Sequence, residues 1–592
     1  MARRKEVRKP DTASSRSTAS IFQNIDSPEQ LEDSKINSND ESSQIQPPLE
    51  NDDPDRPEDY KFPFNLVFEF QDFLNFHLNF RRGVEILVCL YLSQVFYIYL
   101  SERDDHAGLA AVGFSILGAV LAMYLSNRSL RKKHAANPET SGAPELPEFN
   151  TIYSFFIPIA LNVLLGGTSS PFFQVNLAIN NYCIHTLHPV AKVVSSFVFY
   201  YMYNENKTLE IFEFLQVIWI YFSVEWALTH WNEDNSEVNE DKPVKRTLSA
   251  TEIHLIAVFT VNILANFHLT LSDTNLPLFI VRALTIALIG AMGALFPIYY
   301  GYSQLSNPVL ANIASLVVGG VFSGVFYFIT NYIFTTQIIN EEVISWLINY
   351  IRATELREKL LGAWLVALVA TVPTVFVLAE FDKVSLNFRR KAWHYLLFAS
   401  LAYPALIQEP VFTSIAVLGS VFVFIVVEAV RAARLGSLGS FLNTHLRYFQ
   451  DDKDISGPLS LSYIFLLVGV AIPLAYGVAK DDVVSIRSYL GLITLGLSDS
   501  TASFVGRNFG KIKWKGGDRT LEGTVTYIVV TFASFVLVDK YLLPEGSKVQ
   551  NWENLFIVAI LGGAVEGAST LNDNVLVPSM SLIAYELLGG VF

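Results

Sequence analysis

Runs of about twenty mostly apolar residues recur from residue 83 to the end of this chain, and a helix of that length crosses the ~30 Å hydrocarbon layer of a bilayer. Clear runs cover 83–101, 107–126, 150–167, 251–268, 276–300, 308–334, 360–379, 411–428, 459–479 and 525–543. Shorter or more polar ones cover 185–203, 211–230, 394–408, 485–504, 553–570 and 574–590. The pattern predicts an all-α polytopic integral membrane protein with about 15 transmembrane helices, within roughly 13–17. Composition agrees: 17% of the 592 residues are charged, against about 25% in an ordinary soluble domain. Mean hydropathy is +0.35. A net charge of −14 argues against a nucleic-acid partner, which calls for a basic stripe. Cys89 and Cys183 both sit in apolar stretches, which excludes a disulfide framework and a cysteine-ligated metal cluster.

Residues 1–60 are rich in Ser, Asp, Glu, Asn and Pro and read as a disordered polar tail. The start is basic but no apolar stretch follows it, so no cleaved signal peptide is expected. Phe62 to Phe80 mixes aromatic and polar residues and suits either an interfacial amphipathic helix or a folded pre-membrane linker. Residues 61–380 form an N-terminal transmembrane region with no readable role, and 381–592 a C-terminal region that carries the chemistry. No internal repeat is evident, so the inverted-repeat signature of many transporters is missing. Positive charge gathers in four loops, 127–149, 380–393, 429–457 and 505–522. Arg128, Arg131, Lys132 and Lys133 mark the first of these. The positive-inside rule places all four on the cytosolic face.

The informative segment is 497–524. On a helix Asp499, Ala502, Gly506 and Gly510 line one face, a carboxylate followed by almost no side-chain bulk. Such a face admits a ligand close to the backbone or packs another helix, as small-xxx-small faces do. A loop with Lys511, Lys513, Lys515, Gly516, Gly517 and Arg519 follows, and Glu522, Gly523 and Thr524 open the next helix. Amides at a helix N-terminus beside lysines make a phosphate cradle. Asp499 and Glu522 are candidate ligands for a divalent cation, Mg2+ by donor type, that bridges phosphate oxygens. The plainer alternative is a cytosolic loop that only obeys the charge rule. Among other polar residues, His394 suits either a phosphate or hydroxyl contact or an interfacial place beside Trp393. Asp573 suits a helix cap, a second metal ligand or a base for a hydroxyl. Glu428 and Arg431, three apart, can simply pair. Asn162, Glu225, His254 and Asn312 are expected to satisfy one another or line a lipid groove.

Taken together and in order, these elements resemble the CTP-dependent polyprenol kinases. Asp499-x-x-Ala502-x-x-x-Gly506-x-x-x-Gly510, the basic loop and Glu522-Gly523-Thr524 are similar to that family's CTP-binding signature. Arg390-Lys391-x-x-His394 and Glu428-x-x-Arg431 match two further elements. Asp454 with Gly457-Pro458-Leu459 resembles a third, with one additional residue between acid and glycine. Glu566 through Asp573-Asn574, with Pro578, resembles a fourth. The many upstream helices fit the dolichol kinases within that family better than the smaller phytol, farnesol and diacylglycerol kinases. The resemblance implies transfer of a phosphoryl group from CTP to dolichol, giving dolichyl phosphate and CDP, in the endoplasmic reticulum membrane for protein glycosylation. It implies Asp499, Asp573 and His394 as catalytic candidates, with the segment from Ala502 to Thr524 binding CTP. Two rivals stand beside it. A phosphatidate cytidylyltransferase shares the nucleotide logic, and Gly516-Gly517-Asp518-Arg519 faintly resembles one of its elements. A transporter fits the number of spans.

Overall fold

The computed structural model describes residues 80–591, apart from 121–150, 167–178, 183–188, 204–210, 235–244, 265–274, 381–384, 451–453, 455–456, 515–518 and scattered single positions. The expected tail, the segment from Phe62, most of the 107–126 span, the 127–149 loop and Lys515 therefore lie outside the described residues.

The described chain is helical throughout. The exceptions are a two-residue antiparallel ladder, Glu233–Asp234 with Lys245–Arg246, and one bridge between Lys513 and Thr520. In chain order the upstream helices are α1 (Phe80–Ser101), α2 (Thr151–Gly166), α3 (Pro189–Tyr203), α4 (Ile211–Trp231), α5 (Ala250–Leu264), α6 (Leu276–Ser303) and α7 (Pro308–Ile333). A short α8 (Val343–Arg352) leads into α9 (Glu355–Glu380), α10 (Leu386–Leu401), α11 (Pro410–Ala432) and α12 (Gly436–Leu446). The last five are α13 (Ser462–Lys480), a composite α14, α15 (Leu521–Tyr541), α16 (Trp552–Ala568) and α17 (Asp573–Val591). α14 runs through Ile486–Gly491, a π-helical stretch Leu492–Asp499, and Ser500–Phe509.

Eight described helices are long and apolar enough to cross a membrane, and α2 and α5 are shorter apolar helices. The expected count of about fifteen is thus not reached by that measure among the described residues. The weaker runs do fold as helices, but polar residues shorten their apolar length, as Arg389, Arg390 and Lys391 do at the start of α10. Between helices in lipid there is little hydrophobic force, so close contact depends on small residues. Gly469 of α13 faces the Asn574 carbonyl of α17, where an added Cβ would stand 1.8 Å from the oxygen. Gly491 faces the Gly469 carbonyl in the same way, at 2.5 Å. These contacts lock α13, α14 and α17 into the centre of a core that includes Leu92, Phe96, Tyr489, Ile493, Tyr527, Phe535 and Leu587. Leu316, Phe328 and Val369 on α7 and α9 point outward, a surface suited to lipid.

Each of the intramembrane polar residues singled out upstream has at least one partner nearby. Tyr221 Oη lies 2.7 Å from His254 Nδ1 and donates to Glu225. Asn162 donates to the Pro158 carbonyl, and Asn312 accepts from Ser437.

Candidate functional site: an acidic cluster beneath a basic hairpin

α14 carries the first site residue. Its π turn ends at Asp499, and π segments recur at functional positions because the extra residue re-aims side chains. Gly496 lets α10 come close: a Cβ there would sit 2.9 Å from Phe398 Cβ. That approach lays Lys391 and His394 against Asp499. Lys391 Nζ donates to Asp499 Oδ2. His394 Nδ1 lies 3.0 Å from the Leu495 carbonyl, so this nitrogen carries the proton, and 3.5 Å from Asp499 Oδ2. Arg390 is half-buried on the same helix.

α16 and α17 carry the others. Glu566 lies near the end of α16 and Asp573 opens α17. One carboxylate oxygen each from Asp499, Glu566 and Asp573 can be chosen so that all three lie within 4.8 Å of one another. Hard oxygen donors in this number suit Mg2+, which keeps waters in its remaining positions. The donor set fits a divalent cation, and these three residues would hold it.

Residues 511–514 and 519–521 pair with each other rather than standing apart as an open loop. Trp514 N donates to Arg519 O and Leu521 N to Ile512 O, both at 2.8 Å. This pairing lays Arg519 against the acids. Its Nη2 donates to Asp573 Oδ2 at 2.7 Å, and its Nε stands 3.4 Å from Glu566 Oε1. Burial opposes the guanidinium charge, but Glu566, Asp573 and Asp499 outweigh it and hold the group protonated beyond its usual range. Its Nη1 is buried with no partner among the described residues. Lys511 and Lys513 are exposed.

Several expected roles change. Glu522 stands apart from the three-carboxylate cluster: its carboxylate accepts from Lys511 N at 2.9 Å and Ile512 N at 3.2 Å, fastening the hairpin to α15. The amides expected to cradle phosphate are taken up by the chain itself, since Thr520 caps Gly523 N at 3.2 Å. Thr524 Oγ1 accepts from Trp514 Nε1 at 3.0 Å. The glycine face packs a helix. A Cβ on Gly506 would meet Thr520 Oγ1 at 2.8 Å, one on Gly510 the Gly506 carbonyl at 2.2 Å, and one on Gly523 the Ala502 carbonyl at 3.2 Å. Small residues are required there because α14 and α15 touch backbone to backbone.

Glu428 and Arg431 form a buried clamp. Arg431 Nε and Nη2 donate to the Glu428 carboxylate at 2.7 and 2.6 Å, and its remaining donors reach Asn443 Oδ1 and the Pro458 carbonyl. Glu428 also accepts from Ser460 N and Tyr463 Oη, both at 2.6 Å. Asp454 accepts from Leu461 N, so this set, with Gly457 in its turn, shapes the entry to α13. Asn574 N donates to Asn572 Oδ1, a cap on α17. Glu566 is the residue to which sequence reasoning gave no direct chemical part. Its signal was local: two acids flanking the break between two helices.

These features define a class, a polytopic α-helical membrane protein with an acidic centre, bracketed by Lys391 and Arg519, at one end of its helical bundle. A sequence model of the family described as the dolichol kinase N-terminal domain matches residues 32–277, where no motif was legible. A dolichol kinase of Saccharomyces cerevisiae is 29% identical over 541 residues, covering 89% of this chain and 92% of that protein. One from Schizosaccharomyces pombe is 33% identical over 204 residues, 34% of this chain and 40% of its own. One from Homo sapiens is 29% identical over 269 residues, 42% and 48% respectively. No solved structure matches the chain. The chain is thus similar to dolichol kinases along most of its length.

Proposed function

We propose that this chain is a CTP-dependent lipid kinase that phosphorylates dolichol on the cytosolic face of the endoplasmic reticulum membrane. The observation that carries the reading is Arg519, anchored on two carboxylates of a three-acid cluster with Nη1 buried and unpartnered among the described residues. A buried guanidinium donor without a partner calls for an anionic acceptor, and a nucleotide phosphate supplies one.

In this reading Asp499, Glu566 and Asp573 hold a divalent cation, which when bound supplies charge neutralisation on the nucleotide phosphates. Arg519 donates Nη1–H to a phosphate oxygen, and Lys391 orients Asp499. Lys511 and Lys513 draw the polyanion to the membrane surface. The dolichol hydroxyl oxygen bonds to the γ-phosphorus as the bond to the β-phosphate oxygen breaks. The hydroxyl proton passes to Asp573, the most exposed of the three acids, and CDP leaves. The named activity of the relatives, the motif order and the position of the acids at one end of the bundle support this assignment.

The test is turnover of γ-labelled CTP by purified protein with dolichol. Label in the lipid with release of CDP is the expected result. Labelled pyrophosphate with a CDP-lipid would make the chain a cytidylyltransferase, and solute movement in vesicles without nucleotide turnover would make it a transporter. Placement is read separately: a cysteine at position 512 should react with an impermeant reagent added to the cytosolic side of intact microsomes.

A further inference from the structure

The turn between Glu566 and Asp573 is held from outside by helices of the upstream region. α16 ends at Ala568 and α17 begins after Asn572, so two acids of the cluster depend on one short connection. The final carbonyls of a helix have no partner within it. Here Arg81, in the first turn of α1, supplies one: Nε donates to the Ala568 carbonyl at 3.0 Å and Nη2 to the Ser569 carbonyl at 3.3 Å. Glu85, one turn further on, is buried, accepts from Tyr153 Oη at 2.8 Å and bonds the Ser569 side chain. On the far side of the turn, Asn572 N donates to Glu252 Oε1 at 3.3 Å. Glu252 is itself fixed by a capping box at the start of α5, with Ser249 N donating to its other oxygen at 2.9 Å and Glu252 N donating to Ser249 Oγ.

We infer that Arg81 and Glu252 are positioning residues for the acidic cluster, so that the upstream membrane region is a working part of the catalytic unit. The inference rests on the kinase reading above. Arg81 forks onto two carbonyls as only a guanidinium can, and Glu252 is pre-aimed by its own helix cap. Between them they fix where α16 stops and α17 starts, and hence how far Glu566 stands from Asp573. The same helix stays in register further along, where a Cβ on Gly590 of α17 would touch Tyr99 of α1 at 2.4 Å. Both residues lie inside the stretch 32–277 matched by the family's N-terminal domain, which gives that region a task.

The test uses the full-length protein in detergent. Mn2+ binding, followed by electron paramagnetic resonance without nucleotide, reports the acidic cluster independently of turnover. Arg81→Ala and Glu252→Gln should each weaken Mn2+ binding and lower kcat by roughly 10–100-fold, as loss of a group that orients metal ligands does. KM for dolichol should hold, and Arg81→Lys should recover part of the loss. Should Arg81→Ala fail to insert, Glu252→Gln decides alone. Folded variants that bind Mn2+ and turn over like the unmodified chain would overturn the inference. An unmodified chain that neither binds Mn2+ nor phosphorylates dolichol would instead overturn the kinase reading beneath it.

Discussion

Replacing Arg519 with Gln separates the two tasks assigned to the guanidinium, holding the acids together and receiving phosphate. Two carboxylates 4.8 Å apart, the outer separation in the cluster, repel by ~3.5 kcal/mol at an effective dielectric of about 20. Three such pairs amount to ~10 kcal/mol when every acid is ionised. Arg519 stands 2.7 Å from Asp573 and 3.4 Å from Glu566, and its attraction to the two is ~11 kcal/mol on the same scale. One side chain therefore offsets about the whole repulsion before desolvation is counted. Gln keeps a donor and much of the length but carries no charge. The cluster should then bind Mn2+ more tightly, by at least about tenfold, since tenfold is only ~1.4 kcal/mol of that electrostatic difference. Turnover should fall by about 10³, the lower range for losing an arginine that meets the transferring phosphoryl group. Mn2+ titration and γ-labelled CTP turnover on one preparation give both numbers. Mn2+ affinity unchanged with turnover close to the unmodified chain would refute the electrostatic argument and the phosphate role together.

Asp499→Asn should abolish nearly all dolichol phosphorylation in the labelled-CTP assay while membrane insertion, read by fluorescence-detected gel filtration, stays normal; activity near the unmodified level would remove Asp499 from the site. Arg431→Met leaves the Glu428 charge buried and should cost roughly 3–5 kcal/mol of stability. In Glu428→Leu/Arg431→Met most of that cost should return, and a thermostable but inactive double variant would show that the pair does more than brace α13. Gly506→Leu should lower the yield of folded protein, since a side chain there meets Thr520 Oγ1 from its first carbon, whereas a nucleotide-clearance role would leave folding intact. Glu342 is held down to about 2 by Tyr327 Oη–H and Ser345 N–H. Its folded value lies below its unfolded one, so its contribution is present above about pH 4.5 and is lost toward pH 2. Thermal melts of Glu342→Gln should lack that component across the same window.

The sequence by itself determined that this chain is a helical membrane protein, because the length of an apolar run and the thickness of a bilayer are both local quantities. It also named Asp499, Lys391, His394, Asp573 and Arg519 as candidates, each from a motif of a few positions, and the structure gathers them around one acidic cluster. It paired Asp499 with Glu522 as divalent-ion ligands, because nearness along the chain stood in for nearness in space, whereas the structure brings Asp499 together with Glu566 and Asp573. Only the tertiary structure showed that Glu522 is spent on Lys511 N and Ile512 N, and that Glu566 closes with Asp499 and Asp573. The glycine face had two readings in sequence, and both satisfy the same spacing. What chose between them was the approach of Thr520 and Gly523 to Gly506, a contact between helices that no helical period contains. The upstream region was silent for the same reason. Arg81 carries no motif and Glu252 only that of a helix cap, and their part arises from meeting Ala568 and Asn572 across 487 and 320 residues of chain.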